Sequence, residues 1–444
     1  MSFAFNSHHC FFLLKKKLHF GGQIHIHNKE YHTDFPDTVR PYTPALRDGY
    51  FVHISAAMDS ENSEGTVCVI SEGPQAALFS WGCNLHSQQK AKPRHRRSNR
   101  LSNEDFDQVY CGHPIRRGRN EFHGETPVSS ACTRSSILVV TAEGGLWYTG
   151  KCPIAPEEHN LPTYDNPVPT LIPCAVFANT KIKQIAAGCN HLVAVCKEGF
   201  LWTWGSNNFD ELGIETDNKL ITTPIKLDNM LYGGYLMQSV SAGDAHSAAV
   251  SVEGRCFQWG RIHAEDNMCL SQPCMTAELP GVHPEYIISQ FQKVCCGHTF
   301  TLCLDTRGRV WSQGSGPSGE LGLGRTSISN KPQLIYGFPQ HDRVTQISCG
   351  RFNSGAITAS GDVYVWGRQY GNFQENTVNS SRSLSEYDQF DNSPMCIKKI
   401  HRFTEAQELT LLTASLRNLD IDHSPISMLP PEILQNILRP HEHM

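Results

Sequence analysis

Short apolar runs separated by glycine turns recur along the chain and predict a series of β-strands. In the clearest example, the apolar runs 185–187, 191–195 and 200–204 are separated by Gly188 and Gly199. A glycine at a two-residue hairpin supplies the positive φ that such a turn requires. The pattern therefore predicts strand, strand, tight turn, strand.

The same unit returns at a nearly fixed spacing. Six glycines that end a third strand are 68, 55, 55, 54 and 53 residues apart, namely Gly82, Gly150, Gly205, Gly260, Gly314 and Gly367. Glycines also stand 17 residues before the last four of these, at Gly188, Gly243, Gly297 and Gly350. A further glycine lies eleven residues after each of those, at Gly199, Gly254, Gly308 and Gly361. Such self-similarity is the signature of a repeat architecture.

Large and small side chains occupy separate columns of the repeat. Every unit has an aromatic residue at the same place in the third strand: Phe79, Trp147, Trp202, Phe257, Trp311 and Tyr364. Two residues later four units have tryptophan, at Trp81, Trp204, Trp259 and Trp366. The residues before the opening glycine are small, as in Ala186-Ala187 and Cys295-Cys296. This division predicts wedge-shaped sheets arranged radially, narrow at an axis and wide outside.

The unit resembles the regulator of chromosome condensation (RCC1-like) repeat family. That family places small residues before a glycine, then a histidine, a glycine turn, an aromatic-x-Trp-Gly end, a Gly-Gln-Leu-Gly loop and a proline. The third unit matches with His191, Trp204-Gly205, 211–213 and Pro224, and the fifth with 319–324 and Pro332. The resemblance implies an all-β, seven-bladed β-propeller with short irregular or helical termini.

Six units are legible in the sequence, whereas the resemblance implies seven blades. We expect the seventh blade from degenerate sequence at 393–422, from the stretch before Phe51, or from both ends pairing together. The alternative is a shortened product whose ring is not well closed. We predict an N-terminal segment 1–50 that can contribute a closing strand, a propeller at 51–422 with a basic insertion at 88–120, and a tail at 423–444.

Composition and charge limit the partners and the cellular locations that we expect for the protein. The chain has 444 residues and a formal net charge of −5, which argues against general nucleic-acid coating. Its 17 cysteines suit free thiols, and the apolar run 11–14 is too short for a secretion signal. No stretch approaches the roughly 18 apolar residues needed to span a bilayer. We therefore expect the protein in the cytoplasm, with the nucleus as the alternative location. We also expect a monomer.

The sequence points to neither a cofactor nor a catalytic site. Gly314, Gly316 and Gly319 match the dinucleotide fingerprint, but a glycine-broken loop follows them where a helix should begin. His191 and His246 occupy the same repeat position, so we expect hydrogen-bonding residues of the inner strands rather than metal ligands. We predict no catalytic, cofactor-binding or metal-binding residues.

Two features lie outside the repeat. The first interval is longer than the others, and its excess carries basic residues that we consider for interaction: Lys92, Arg94, Arg96, Arg97, Arg116, Arg117 and Arg119. Such a cluster indicates a nuclear-localisation signal or a phosphate-contacting loop, the alternative being a solvated loop. The tail segment 426–438 resembles the opening of an F-box, the helical module that docks on the Skp adaptor of cullin-type ubiquitin ligases. An ordinary capping helix is the alternative.

Three functions are compatible with these observations. The first is a non-catalytic propeller that acts as a protein-protein interaction scaffold or regulator. The second, implied by the resemblance, is guanine-nucleotide exchange on a small GTPase, an activity that the family's founding member performs while attached to chromatin. The third is substrate recognition for an F-box ubiquitin ligase, in which case a ubiquitin-ligase adaptor is the partner.

Overall fold

Nearly all of the regular secondary structure in the described part of the chain is antiparallel β-strand. The computed structural model describes residues 2–5, 9–14, 17–26, 29–33, 51–57, 66–83, 110–133, 135–162, 165–262, 269–278, 282–324, 328–339, 341–367 and 398–400. These residues form seven four-stranded sheets, in each of which strands that follow one another along the chain lie side by side.

The strands have the following bounds. The first two sheets contain β1 (Ser2–Phe5), β2 (His9–Leu14), β3 (Lys17–Ile26), β4 (Lys29–Thr33), β5 (Phe51–Ala56), β6 (Val67–Ser71), β7 (Ala77–Cys83) and β8 (Tyr110–Gly118). The next two contain β9 (Pro127–Cys132), β10 (Ser136–Thr141), β11 (Leu146–Gly150), β12 (Asn166–Ile172), β13 (Ile182–Ala187), β14 (His191–Cys196), β15 (Leu201–Ser206) and β16 (Leu220–Lys226).

The last three sheets complete the chain of blades. They contain β17 (Met237–Ala242), β18 (His246–Ser251), β19 (Cys256–Arg261), β20 (Cys269–Met275), β21 (Phe291–Cys296), β22 (Phe300–Asp305), β23 (Val310–Ser315), β24 (Ile328–Leu334), β25 (Val344–Cys349), β26 (Asn353–Thr358), β27 (Val363–Gly367) and β28 (Lys398–Ile400). One short helix, α1 (Pro284–Ile287), and 3₁₀ turns at Arg119–Phe122, Glu157–His159, Cys174–Phe177, Asn229–Tyr232 and Thr276–Glu278 join them.

The three strands that the repeat predicts are present in each of the six units. In the third unit they are β13, β14 and β15, joined by the hairpin at Gly199. A fourth strand, which the apolar pattern did not predict, pairs with the third, as β16 pairs with β15. It is polar and often contains proline, such as Pro224 in β16. Because it is an edge strand, a residue without an amide hydrogen is tolerated there.

The first strands of successive blades contact one another and therefore surround the axis. β5 contacts β9, β9 contacts β13, β13 contacts β17, β17 contacts β21, and β21 contacts β25. The small residues predicted for the narrow end of the wedge lie at the ends of these strands. A Cβ added to Gly188 would overlap the carbonyl oxygen of Gly243 in the next blade, and one added to Gly243 would overlap that of Gly297. Glycine is required there because neighbouring backbones approach so closely.

Aromatic residues fill the wide part of each wedge. The aromatic column of the third strands is buried in all six units. A second aromatic residue, from the connection that enters each blade, packs edge-on against it in five units, as in Phe122–Trp147, Phe177–Trp202, Tyr232–Phe257, Tyr286–Trp311 and Phe338–Tyr364. Edge-to-face pairs of this kind contribute about 0.5–1.5 kcal/mol each beyond the burial of their area.

The structure has six repeat blades, which corrects the expectation of seven. Six blades carry the repeat, and the structure has the all-β propeller architecture that the sequence predicts. The N-terminal sheet β1–β4 contains no tryptophan and none of the repeat glycines. Its first strand contacts both β5 and β25, the inner strands of the first and last repeat blades. From the segment 393–422, the described residues supply only β28, the fourth strand of the last blade.

The compact unit that contains the blades runs from Met1 to Ile400. It includes the N-terminal segment 1–50 and ends at β28, and the boundary at residue 422 stays a prediction because it lies outside the described residues. A second unit comprises His401–Met444, which lies outside the described residues, as does the F-box-like segment 426–438. Among the described residues, no helix has the length and apolarity needed to cross a bilayer.

Candidate functional site

One end of the propeller collects the turns between the first and second strands of each blade. Because neighbouring strands are antiparallel, the loops between third and fourth strands lie at the same end. Backbone hydrogen bonds join these two sets of loops: the amide of Ser206 donates to Asn190 O at 2.9 Å and that of Arg261 to Ala245 O at 2.9 Å. We call this end the turn end.

Three successive blades contribute to a group of ionisable residues at the turn end. Oδ2 of Asp244 lies 3.2 Å from Nε2 of His298 and 3.1 Å from Nε of Arg351. Arg261, from the end of β19, lies close enough to lower the pKa of Asp244. We call Asp244, Arg261, His298 and Arg351 the charged cluster.

Two phenylalanine rings border the charged cluster. The guanidinium carbon of Arg261 lies 4.0 Å from the centroid of the Phe209 ring, and that of Arg351 lies 5.2 Å from the centroid of Phe352. The His298 ring also packs against Phe352, with centroids 5.3 Å apart. Phe209 is 37% exposed, which leaves an aromatic surface beside charged groups at an accessible place. Such surfaces suit contact with a protein partner.

Burial and charge oppose each other within the cluster. Burial raises the pKa of Asp244, while His298 and Arg351 act to lower it. Burial lowers the pKa of His298, and the carboxylate of Asp244 acts to raise it. The cluster therefore contains two permanently charged guanidinium groups and one carboxylate, so it can attract a further anionic group. The same four side chains form no arrangement of nucleophile, base and orienting group.

The repeat residues predicted from the sequence lie where they hold neighbouring blades together. Nε2 of His191 is 2.9 Å from Oγ of Ser247, and Nε2 of His246 is 3.1 Å from Oγ1 of Thr301. Each bond joins a second strand to the second strand of the next blade. Burial lowers the pKa of His191 to about 4 and that of His246 to about 3. Among the described residues no group of three or more His, Cys, Asp or Glu side chains could hold a metal ion.

The remaining repeat residues lie in the third strands and in the turns of the blades. Trp204, Trp259 and Trp366 are buried at the ends of third strands. The glycines lie in turns or at strand ends: Gly188, Gly199, Gly205, Gly243, Gly254, Gly260, Gly297, Gly308, Gly314, Gly350, Gly361 and Gly367. Gly316 and Gly319 lie in a turn after β23, and no helix follows them in the described residues 320–324.

The structure does not bring the basic candidates into one described patch. Lys92, Arg94, Arg96 and Arg97 lie outside the described residues. Arg117 is buried in β8 and donates to Oγ of Ser80 at 2.8 Å, so this guanidinium forms its hydrogen bond inside the protein. Arg116 and Arg119 are exposed, and Arg119 donates to the carbonyl of Gly124 at 2.7 Å.

Sequence reasoning missed the charged cluster, although the repeat contained a signal for it. Asp244, His298 and Arg351 each follow the opening glycine of their unit directly, and Cys189 takes that place in the third unit. The residue type at this repeat position differs from unit to unit, which indicates that the position lies outside the core that the blades share. The aromatic residues of the blade connections were also missed, although they recur 52 to 55 residues apart from Phe122 to Phe338.

The residue ranges that match family models are offset from the blades. The model of the regulator of chromosome condensation (RCC1) repeat matches residues 198–250 and 307–357, and a second model of this repeat matches 344–372. Each of the first two matches begins in the hairpin before a third strand and ends in the second strand of the next blade. One sequence repeat therefore contributes two strands to each of two neighbouring blades.

Curated relatives share the repeat region. The chain is 32% identical over 217 residues to the probable E3 ubiquitin-protein ligase HERC4 of Homo sapiens, a match that covers 48% of this chain but 20% of the ligase. It is 25% identical over 345 residues to the ultraviolet-B receptor UVR8 of Arabidopsis thaliana, covering 76% of this chain and 70% of the receptor. The chain thus spans about a fifth of the ligase's length.

Solved structures share the fold. Human WBSCR16 superposes with a TM-score of 0.60 at 19% identity, covering 79% of this chain and 84% of that one. Prp20p from Saccharomyces cerevisiae superposes with a TM-score of 0.52 at 17% identity, covering 69% of this chain and 70% of that one.

The fold and its internal repeats define a repeat-built β-propeller. The matched repeat models and relatives identify which kind. The repeats that the models match, at residues 198–250, 307–357 and 344–372, are RCC1 repeats.

Proposed function

We propose that the chain is a non-catalytic propeller that binds a protein partner through the charged cluster and the phenylalanine rings beside it. The cluster combines two arginines with a single carboxylate at a partly exposed surface. An acidic group of a partner can use the remaining positive charge, and Phe209 and Phe352 can contact its apolar neighbours. This combination is the observation that carries the proposal.

Affinity purification of the tagged full chain, followed by mass spectrometry, tests this proposal. Asp244→Asn combined with Arg351→Ala removes the ion pair and one of the two guanidinium groups of the cluster. We expect the affinity for the specific partner, and with it the recovery, to fall about thirtyfold or more, the effect of losing a hydrogen-bonded charge at an interface.

A matched control removes an exposed arginine elsewhere. Arg343 precedes β25 and is exposed at the opposite end from the charged cluster. Arg343→Ala should leave the recovered partner unchanged. Equal recovery with the double variant and with the wild-type chain would contradict the proposal.

Two more specific functions, predicted from the sequence, remain proposals. Exchange on a small GTPase predicts faster release of labelled nucleotide from at least one member of a GTPase panel. A role in a ubiquitin ligase predicts recovery of a Skp-type adaptor with the full chain. A cytoplasmic or nuclear location, a contact with chromatin and a monomeric state are likewise predictions of the sequence.

We also propose that the N-terminal sheet β1–β4 is the seventh blade and closes the ring. This proposal is supported by the contacts of β1 with both β5 and β25, which mirror the contacts between inner strands of the repeat blades. Closure of this kind would remove the two exposed sheet faces that an open ring leaves.

A further inference from the structure

His298 is the histidine of the charged cluster, and its ring is accessible to solvent. Its side chain is 29% exposed, in contrast to the buried repeat histidines His191 and His246. The ring contacts two groups: Nε2 lies 3.2 Å from Oδ2 of Asp244, and its centroid lies 5.3 Å from that of Phe352. A proton can therefore exchange between this ring and water without any separation of the blades.

The charged groups that face His298 come from the blades on both sides of its own. Asp244 and Arg261 belong to the preceding blade, and Arg351 belongs to the following one. The ring is also close enough to affect the titration of His246. Burial lowers the pKa of His246 to about 3, so that second histidine is neutral near pH 7.

Burial and these neighbours together set the charge of His298. Burial lowers its pKa below the ordinary value of 6.5, and the carboxylate of Asp244 acts to raise it. The guanidinium groups of Arg351 and Arg261 act to lower it. The net direction is downward, so the ring is neutral at about pH 7 to 8 when no partner is bound.

An acidic group that entered the cluster would change this balance. Its negative charge would offset the two guanidinium groups that oppose protonation of the ring, and its oxygen could accept a hydrogen bond from the protonated ring. Both effects favour the charged form of His298. Because coupling between two bound species is reciprocal, a group that favours binding of the proton is itself bound more tightly when the proton is available.

We propose that the charged cluster binds the acidic group of its partner together with a proton that His298 takes up from water, so that the partner is held more tightly at about pH 6 than at about pH 8. Arg261 and Arg351 keep their charge throughout this range. This inference rests on the proposed function and names a condition that regulates binding at the same cluster.

Proton uptake by the full chain can be measured by nuclear magnetic resonance of the histidine rings. The probe is inorganic sulfate, an anion that keeps its charge throughout the titration. The midpoint of the His298 ring signal should lie at higher pH in sodium sulfate than in sodium chloride of equal ionic strength. The signal is identified by its absence from the spectrum of His298→Gln. An unchanged midpoint would overturn the inference.

Affinity purification at two pH values measures the effect on the partner that mass spectrometry identifies. The wild-type chain should bind it at least about threefold more tightly at about pH 6 than at about pH 8. Loss of stability in acid would weaken binding, so it cannot mimic this result. His298→Gln should remove the difference, because glutamine keeps a neutral donor toward Asp244 but takes up no proton.

A matched control changes a histidine elsewhere. His341 is exposed and precedes β25. His341→Gln should retain the pH dependence of the wild type. The inference would be wrong if His298→Gln retained it as well, since another group would then be the one that titrates.

The double variant separates this inference from the proposed function. If Asp244→Asn combined with Arg351→Ala loses the partner while the wild type binds equally at both pH values, the cluster is the binding site and proton uptake is refuted. If the double variant keeps the partner, the proposed function fails and the inference fails with it.

Discussion

At the scale of single residues, two buried histidines of this propeller have hydrogen-bond partners in neighbouring blades. His191 and His246 are both 1% exposed, and each forms a hydrogen bond with a hydroxyl group in the next blade. From their shared repeat position we predicted hydrogen-bonding residues of the inner strands rather than metal ligands. Their partners Ser247 and Thr301 were not predictable, because they lie more than 50 residues away in sequence.

The two histidines predict a loss of stability in acid. Burial lowers their pKa to about 4 and about 3, whereas an unfolded histidine titrates near about 6.5. Between these values the unfolded chain binds more protons than the folded one, so the free energy of unfolding falls as the pH drops from 6.5 to about 4. Urea denaturation across this range measures the effect.

His246→Gln isolates one of these groups. The variant should be less stable than the wild type at pH 7.5 by about 1–2 kcal/mol, since its hydrogen bond to Thr301 is disturbed. It should also lose less stability on acidification because one titrating group is gone. A pH dependence identical to that of the wild type would show that His246 does not titrate as described.

At the scale of the elements, each blade depends on a close approach between its first turn and the end of its third strand. Gly205 has φ of +110° and ends the strand core of β15. A Cβ added there would lie 2.5 Å from the carbonyl oxygen of Asn190, which is backbone and cannot move aside. The spacing of these glycines was readable from the sequence. The reason for them became visible only when two chain segments were placed in contact.

Gly205→Ala should therefore be strongly destabilising. Gly234→Ala is the matched control because Gly234 also has positive φ, +76°, but an added Cβ would meet nothing within 4 Å. We expect a loss of about 1 kcal/mol for Gly234→Ala from backbone strain alone, and at least about 3 kcal/mol for Gly205→Ala. Thermal unfolding of both variants gives the comparison, and equal losses would contradict the role of the close approach.

At the scale of the whole molecule, the ends of the repeat array need partners. β5 and β25 are the inner strands of the first and last repeat blades, and β1 contacts both. An open array would leave apolar sheet faces in water at these places. The N-terminal sheet is therefore predicted to contribute to the stability of the six repeat blades.

Removal of residues 1–33 tests this contribution. We expect the Tm to fall by about 10 °C or more, the result of losing several kcal/mol of burial in a chain of this size. Removal of residues 401–444 is the control, because they lie outside the compact unit Met1–Ile400. Equal stability of the N-terminal truncation and the full chain would refute closure by this sheet.

The sequence by itself determined the repeat, its three-strand core and its family resemblance, because a closing glycine and an aromatic residue recur at fixed positions in all six repeat blades. It gave no sign of the N-terminal sheet beyond one of several possible sources for a seventh blade. Residues 2–33 lack the repeat pattern, and their pairing depends on backbone hydrogen bonds that many sequences allow.

Only the tertiary structure decided which residues meet at the surface. Asp244, His298 and Arg351 are separated by more than 50 residues in sequence, and the radial arrangement of blades brings them within hydrogen-bonding distance. The same holds for Trp204, whose indole has no acceptor among the described residues, whereas Trp259 and Trp366 at the same repeat position donate to carbonyl groups of the preceding blade. The physical reason is that the acceptor comes from the neighbouring blade, so its presence or absence is a property of the junction and not of the unit.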